Sequence, residues 1–169
     1  MSILHVAPEP SLSQLLRAIP NVEYVGGDIT RQYGPERIDV TNLEFADGRF
    51  DATVCNHVLE HVPEDTTAMR EICRALKPGG WAILQVPDVW ANQTDEDPNI
   101  TAADARARFG QADHVRQYGW DYVDRLRAAG FEVQVSRGEG IFTPKMIERY
   151  RLRKFGEIEP IFFARRPIS

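Results

Sequence analysis

The chain has 169 residues and a hydrophobic content of 43%, which suits one domain built around one core. Its net charge of −5 argues against a nucleic-acid binder, because phosphate binding requires a basic face. The N-terminus lacks the basic region of a signal peptide and no apolar run approaches membrane-spanning length, so we expect a cytoplasmic protein without membrane contact.

The first half of the chain alternates apolar runs, which predict strands, with one helical pattern. Leucines and isoleucines recur at i, i+3, i+4 and i+7 after Ser11, which predicts a helix over residues 12–19 with Ser11 as its N-cap. The second predicted strand is stopped by Gly26-Gly27-Asp28. The predicted strands cover residues 3–7, 22–25, 38–40 and 50–55.

The second half continues the alternation around one long polar connection. A stripe of Met69, Ile72, Cys73 and Leu76 predicts a helix, which Pro78-Gly79-Gly80 would follow as a turn. Residues 88–117 are polar and acidic, and we expect a functional loop with a short helix over 102–109. A further helix starts near Tyr122 and ends at Gly130 as its C′ residue. The remaining predicted strands cover residues 81–86, 131–135 and 161–164.

Alternating strands and helices with short connections predict a parallel sheet covered by helices, within a single domain over residues 1–169. The last two strands lack a regular crossover helix between them, which favours an antiparallel terminal pair. The strand over 50–55 ends at the polar pair Asn56-His57. Because open α/β sheets bind ligands at the carboxyl ends of their strands, this pair predicts a small-molecule site.

Two sequence blocks, the second beginning fourteen residues after the first ends, give the chain a family resemblance. They run from Phe50-Asp51 through Leu59-Glu60-His61-Val62 and over Leu76-Lys77-Pro78-Gly79-Gly80, and Gly130-Phe131 adds a third match. The chain resembles the class I S-adenosylmethionine-dependent methyltransferases, in their small-molecule, type 11-like branch. The resemblance implies an α/β, doubly wound, mostly parallel seven-stranded Rossmann-like sheet with an antiparallel C-terminal strand. It also implies S-adenosyl-L-methionine as cofactor and a metabolite or sugar-like intermediate as methyl acceptor.

Four positions match the family's cofactor pocket. Asp28 follows the first strand by roughly twenty residues, the spacing at which a carboxylate holds a cofactor ribose, although a turn aspartate is the alternative. Asp39 matches the position beside the adenine, where Val40 could pack, and an ordinary loop carboxylate is the alternative there. Asn56 and His57 match the strand end at which the family contacts the cofactor.

The first motif departs from the family pattern. The family has an acidic residue and then a glycine-rich turn after the first strand, whereas this chain has His5 in place of the acid and no glycine. Ala7 is the small residue of the turn, and we assign His5, Ala7 and Glu9 to the cofactor site. Glu9 could meet the ammonium group of the cofactor with its carboxylate.

The cluster around residues 113–119 supplies the catalytic candidates. His114 is the best candidate base because the ordinary pKa of histidine lies near neutral pH, and Tyr118 could donate a hydrogen bond. Arg116 could orient an anionic group, and His61 is the second candidate contact with substrate. The alternative is that the cluster caps the next helix and pairs with the acidic loop, and that His61 only packs.

The letters His57-Val58-Leu59-Glu60-His61 also fit the H-x-x-E-H zinc-protease pattern. That chemistry needs both histidines one turn apart on a helix, whereas His57 falls at a strand end, so we predict no metal.

Two other functions compete with methyl transfer. The glycine-free turn and the lack of helices before the first strand favour a non-catalytic binding or dimerisation module. A nicotinamide-dependent oxidoreductase is disfavoured because no G-x-G-x-x-G follows the first strand. The chain could be a minimal form, a truncated form or one completed by a partner, and a homodimer is compatible with it.

Overall fold

Seven strands form one sheet in the computed structural model, which describes residues 1–87, 89–138, 141–150, 152–154 and 157–168. Position 88 of the polar connection and position 169 of the predicted domain lie outside these residues. The described strands are β1 (Ser2–Val6), β2 (Glu23–Asp28), β3 (Glu36–Arg37), β4 (Phe50–Asn56), β5 (Leu76–Gln85), β6 (Asp95–Glu96), β7 (Arg116–Gln117), β8 (Glu132–Ser136), β9 (Arg153–Lys154), β10 (Glu157–Ile158) and β11 (Ile161–Arg165). The described helices are α1 (Pro10–Arg17), α2 (Asp65–Ala75), α3 (Ala102–Phe109), α4 (Tyr122–Ala128) and α5 (Pro144–Arg149).

The sheet has the order β3-β2-β1-β4-β5-β11-β8 across the described residues. The first five strands in this order, from β3 across the sheet to β5, pair in parallel with their neighbours. In contrast, β11 runs antiparallel to both β5 and β8. The predicted fold class, with its antiparallel last strand, is confirmed. The strand order reverses between β1 and β4, and this switch point is where open α/β sheets form a ligand crevice at their carboxyl ends.

The core lies between this sheet and the helices that cover it. The α2 residues Met69, Ile72 and Cys73 are buried, as their helical spacing predicts. Each fully buried side chain of this size contributes roughly 1.5–3 kcal/mol of hydrophobic stabilisation. No helix in the described part of the chain combines the length and apolar character that crossing a bilayer would require.

The start of α1 differs from the prediction. The helix begins at Pro10, so Ser11 lies inside it, and Glu9 occupies the N-cap position without a capping hydrogen bond from its side chain. Proline suits the first helical position because its fixed φ is helical and its missing N–H would have no partner there. As a result, the carboxylate of Glu9 is available for contacts outside the helix.

Two strand assignments were wrong for reasons of sheet pairing. The strand after β2 is Glu36–Arg37, not residues 38–40, and the backbone N–H of Ile38 instead donates to the Asp28 carbonyl over 3.0 Å. Gly26-Gly27-Asp28 does not stop β2 but continues it. A side chain at Gly27 would lie 2.1 Å from the carbonyl oxygen of Glu36, so only glycine lets the two strands approach this closely.

The turn predicted at residues 78–80 is instead part of β5, which begins at Leu76 directly after α2. Gly79 adopts a φ of 77° within this stretch, and the pairing with β4 shifts register between Phe50 and Ala52. An irregular pairing of this kind explains why a Pro-Gly-Gly sequence can lie inside a strand. The short helix expected over 102–109 is confirmed as α3, with the Thr101 side chain accepting from the Asp104 N–H.

Candidate cofactor and acceptor site

The sheet register brings the predicted cofactor residues to one edge. Val6 is paired with Gly27 of β2 and with Cys55 of β4, so these three strands end at the same level. Ala7, Asp28 and Asn56 therefore lie side by side at the carboxyl ends of their strands.

Glu9 connects two of these strands through its side chain. One carboxylate oxygen lies 2.7 Å from Nε2 of His5, and the other accepts a hydrogen bond of 2.9 Å from the Asn56 amide. A carboxylate only accepts, so Nε2 of His5 carries the proton and Nδ1 accepts from the Tyr24 hydroxyl over 3.0 Å. His5, which the family pattern would make acidic, is thus fully buried between Glu9 and Tyr24.

The charges of this group follow from its surroundings. Burial lowers the pKa of His5 against the opposing effect of Glu9. Burial raises the pKa of Glu9, but hydrogen bonds from Asn56, its own backbone and His5 outweigh it, so the net pKa is lowered. At neutral pH the group holds a neutral imidazole beside an ionised, partly exposed carboxylate, which can attract a cation.

Ala7 takes the conformation that glycine gives in the family turn. Its φ is 47°, in the left-handed region, and its N–H donates to the Gly27 carbonyl over 2.9 Å. Alanine is the smallest residue with a Cβ, so it adopts this conformation with a modest strain and still leaves the turn narrow. The turn therefore has a left-handed residue at Ala7 although it lacks glycine.

Asp28 is buried and bonded to the loop that follows it. Its carboxylate accepts from the Thr30 N–H over 2.6 Å, the Thr30 hydroxyl over 2.5 Å, and the N–H groups of Gln32 and Tyr33. These bonds outweigh burial and lower the pKa of Asp28. Binding of ribose hydroxyls at Asp28 would replace some of these hydrogen bonds, because a carboxylate offers about four acceptor sites.

Asp39 and Val40 follow β3 by two and three residues. The Asp39 carboxylate accepts from the Thr41 hydroxyl over 2.6 Å and from its N–H over 3.0 Å, and these bonds lower its pKa. Val40 is buried in the core. One oxygen of Asp39 bonds within this turn, and the half-buried side chain remains at the same edge as Asp28.

A group of histidines lies beyond the end of β4. His57 has a φ of 54°, and its Nδ1 lies 3.6 Å from a carboxylate oxygen of buried Glu60, an ion pair that raises the pKa of His57. His61 follows in a 3-10 turn, Leu59–His61, and its ring meets that of His114 edge to face at 4.7 Å. His114 is buried, and burial together with His61 lowers its pKa, so it is a neutral imidazole at neutral pH.

Arg116 and Tyr118 are buried within the protein. The Arg116 guanidinium donates to the carbonyls of Leu59, over 2.8 Å, and Pro63, over 2.9 Å, and to that of Val62. The Tyr118 hydroxyl donates to Asp65 over 2.7 Å. Their substrate and catalytic roles stay predictions, and these contacts favour a structural role.

Sequence reasoning missed the partners of this network. Asp65, Glu96 and Arg125 join it through a 3.1 Å bond from Arg125 to Asp65 and a 2.7 Å bond from Arg125 to Glu96. The helix-start position of Asp65 and the surface-like spacing of the other two gave no local signal of a buried network. No signal in the sequence indicated that Glu60 is buried, although Glu60 belongs to both the family block and the H-x-x-E-H letters.

Comparison with known proteins shows similarity to methyltransferases. A family model described as a methyltransferase domain matches residues 10–84, from α1 to the end of β5. The chain is 25% identical over 149 residues to the demethylmenaquinone methyltransferase of Paenarthrobacter aurescens, covering 73% of this chain and 54% of that protein. It is 44% identical over 114 residues to the arsenite methyltransferase of Aquipseudomonas alcaligenes, covering 65% of this chain and 28% of that protein.

A solved structure extends the likeness of the fold to the whole sheet. Phosphoethanolamine N-methyltransferase 2 of Haemonchus contortus, in complex with S-adenosyl-L-methionine, superimposes with a TM-score of 0.62 at 13% identity, covering 99% of this chain and 49% of that one. The described sheet has the Rossmann-like fold of this methyltransferase structure. The chain is therefore similar to S-adenosylmethionine-dependent methyltransferases, in sequence over residues 10–84 and in fold over the described sheet. It spans about half, or less, of the length of the curated relatives given above.

Proposed function

We propose that this domain transfers a methyl group from S-adenosyl-L-methionine to a small-molecule acceptor, a metabolite or sugar-like intermediate. The observation that carries the proposal is the Glu9 carboxylate, held by His5 and Asn56 at the switch point of a methyltransferase sheet. The printed names of the relatives, which concern demethylmenaquinone and arsenite, support an acceptor that is small.

The cofactor would be held by residues at the ends of neighbouring strands. Glu9 would face the ammonium group, Asp28 the ribose hydroxyls and Asp39 the adenine amino group, with Val40 packing nearby. Ala7 would let the turn after β1 approach the cofactor, and its left-handed φ supports this. The cofactor supplies an electrophilic methyl group on a sulfonium, so the protein's main task is to align the acceptor with it.

The acceptor would be activated near the histidine group. His114 is the candidate base, since its Nε2 has no hydrogen-bond partner among the described residues and its lowered pKa keeps a lone pair available. His61 would contact the acceptor beside it. Arg116 and Tyr118 would hold the segment that carries His114 against the turn after β4, rather than meet the acceptor themselves.

A non-catalytic binding module is the second candidate. The observation in its favour is that Asp28 bonds to its own loop through Thr30, Gln32 and Tyr33. A domain in which these bonds could not open would not hold a cofactor ribose at this position. Cofactor binding separates the two functions.

Calorimetric titration with S-adenosylmethionine, S-adenosylhomocysteine and NAD tests the proposal. We expect the two adenosyl compounds to bind and NAD not to bind. Glu9→Gln should weaken binding at least tenfold, because it removes the charge that faces the ammonium group, whereas Glu132→Gln at the far, exposed edge should bind normally. Absence of adenosylhomocysteine binding would favour the module, and unchanged affinity of Glu9→Gln would remove Glu9 from the site.

Transfer itself requires a second assay. Labelled methyl groups from S-adenosylmethionine should appear on one member of a panel of small quinols and hydroxylated metabolites. His114→Ala should then lower turnover at least tenfold with that acceptor, while cofactor affinity stays near its original value. Equal turnover in the variant would show that His114 is not the base.

A further inference from the structure

The histidine group beyond β4 contains a second possible chemistry, which does not depend on methyl transfer. Glu60, His61 and His114 each offer one ligand atom, and these atoms all lie within 4.8 Å of one another. Bonds of 2.0–2.2 Å to a shared tetrahedral ion would place such atoms about 3.4 Å apart. Side-chain movements of about 1 Å would therefore bring them around one cation.

Two of these groups have buried polar atoms that the protein leaves unsatisfied. Glu60 is 1% exposed and His114 is 5% exposed. Oε2 of Glu60 and Nε2 of His114 have no hydrogen-bond partner in the described part of the chain. A buried carboxylate oxygen without a partner is costly, and a bound cation would satisfy this oxygen and the imidazole nitrogen together.

The third group, His61, has its ring held by a backbone carbonyl. Nδ1 of His61 lies 3.1 Å from the backbone carbonyl of Asp113, and a carbonyl can only accept. The proton is therefore on Nδ1, and Nε2 keeps its lone pair. Metal-binding histidines commonly donate their other ring N–H to a carbonyl or carboxylate in this way, because the bond fixes the ring and its tautomer.

The backbone holds the ligands' two segments together. The Val115 N–H donates to the Glu60 carbonyl over 3.0 Å. Val115 directly follows His114 in the chain and Glu60 directly precedes His61, so this bond joins the two segments beside the ligands. Arg116 adds its hydrogen bonds to the carbonyls of Leu59, Val62 and Pro63. The three ligands thus come from two segments whose separation is fixed before any ion binds, and this arrangement lowers the cost of binding.

We propose that Glu60, His61 and His114 form a binding site for a divalent first-row transition metal such as Zn²⁺. Imidazole nitrogens suit zinc, iron, nickel and copper, whereas Mg²⁺ prefers an all-oxygen octahedron. Two histidines and one carboxylate leave a coordination position open, as in catalytic rather than structural zinc sites. The H-x-x-E-H letters contribute Glu60 and His61, but the second imidazole comes from His114 and not from His57.

A bound metal would use the same lone pair of His114 that the proposed base uses. Metal binding needs neither cofactor nor acceptor, so the site can be tested in their absence, and a failure of methyl transfer would leave the result unaffected. Chelator-treated protein is titrated with ZnCl₂ in a calorimeter, and Co²⁺ serves as a spectroscopic probe of nitrogen ligation. We expect one Zn²⁺ per chain, visible Co²⁺ bands and a raised midpoint of thermal unfolding with zinc.

Variants of the two buried ligands, Glu60 and His114, test the assignment. Glu60→Gln and His114→Gln should each lose at least about a hundredfold in zinc affinity, whereas exposed Glu64→Gln should match the unaltered chain. Urea unfolding of the metal-free variants controls for misfolding, and Glu60→Gln should fold well because a neutral amide of the same size replaces a buried carboxylate whose Oε2 lacks a hydrogen-bond partner among the described residues. Zinc binding that is absent, weaker than Mg²⁺ binding, or unchanged in both variants would overturn the proposal.

Discussion

Arg116 is the residue whose substitution best separates a structural from a substrate-binding role. Its side chain is 1% exposed and donates to the carbonyls of Leu59, Val62 and Pro63, with Nε 3.1 Å from Glu96. Replacement by methionine keeps much of the volume but removes every donor. The carbonyls of Leu59, Val62 and Pro63 would then lose the donors that Arg116 supplies, while the Glu96 carboxylate would keep its bonds from Arg125.

The expected loss of stability follows from these contacts. Breaking a buried charge interaction by removing one partner costs about 3–5 kcal/mol, so we expect Arg116→Met to lower the free energy of unfolding by about 4 kcal/mol. Arg116→Lys keeps the charge but cannot reproduce the planar fork, and we expect about half that loss. Arg127→Ala, whose pair with Asp124 is exposed at 58% and 78%, is the control and should cost less than about 0.5 kcal/mol.

Urea unfolding followed by tryptophan fluorescence measures these differences at neutral pH. The free energy of unfolding is obtained by linear extrapolation, with an unchanged m-value as the check that the unfolding reaction is the same. The measurement contains no ligand, so a residue that only contacts substrate would show no loss. A loss below 1 kcal/mol for Arg116→Met, or equal stability of Arg116→Lys and the unaltered chain, would refute the structural assignment.

Three further predictions concern the turn after β1, Asp51 near the start of β4, and the core. Ala7→Gly should raise stability by up to about 1 kcal/mol in urea unfolding, because glycine adopts the φ of 47° without strain. Asp51 has a pKa lowered to about 2 by Lys77 and is 34% exposed, so Asp51→Asn should cost about 1 kcal/mol at pH 7. A carboxylate whose pKa is lowered by folding stabilises the folded state at pH values above its pKa in the unfolded chain. The difference between Asp51→Asn and the unaltered chain should therefore fade as the pH of the unfolding assay falls from about 4 to 2. Ile72→Ala, at a fully buried position, should cost about 2–5 kcal/mol by the same method.

The sequence predicted the order of elements well because the signals for it are local. Helix α3 was expected over 102–109 and lies there, with Thr101 in the capping position. The antiparallel last strand followed from the missing crossover helix. In contrast, the third strand was predicted over residues 38–40 because Ile38 and Val40 are apolar. These two side chains are buried in the core, whereas the residues that pair with β2 are Glu36 and Arg37. Tertiary pairing overrode local β-propensity at this position.

The site was predicted less well because polar residues look alike until their partners are known. Arg116 and Tyr118 stand in a cluster rich in chemistry, yet their partners Leu59 and Asp65 lie more than fifty residues earlier in the chain. No local pattern signals that such side chains will be buried. That Ala7, Asp28 and Asn56 lie at one edge was easier to predict, because strand ends can be counted from the sequence and parallel strands end at one edge.

The turn after β1 shows how the domain replaces glycine. A glycine turn obtains its shape from backbone freedom, whereas here Ala7 bears the positive φ and the side chain of Glu9 ties the turn to His5 and Asn56. The same carboxylate is the proposed partner of the cofactor's ammonium group. Because Asn56 and an ammonium ion would then share one acceptor group, cofactor binding should be sensitive to this hydrogen bond. Comparing Glu9→Gln with Asn56→Ala would therefore separate the contribution of the charge from that of the turn's geometry.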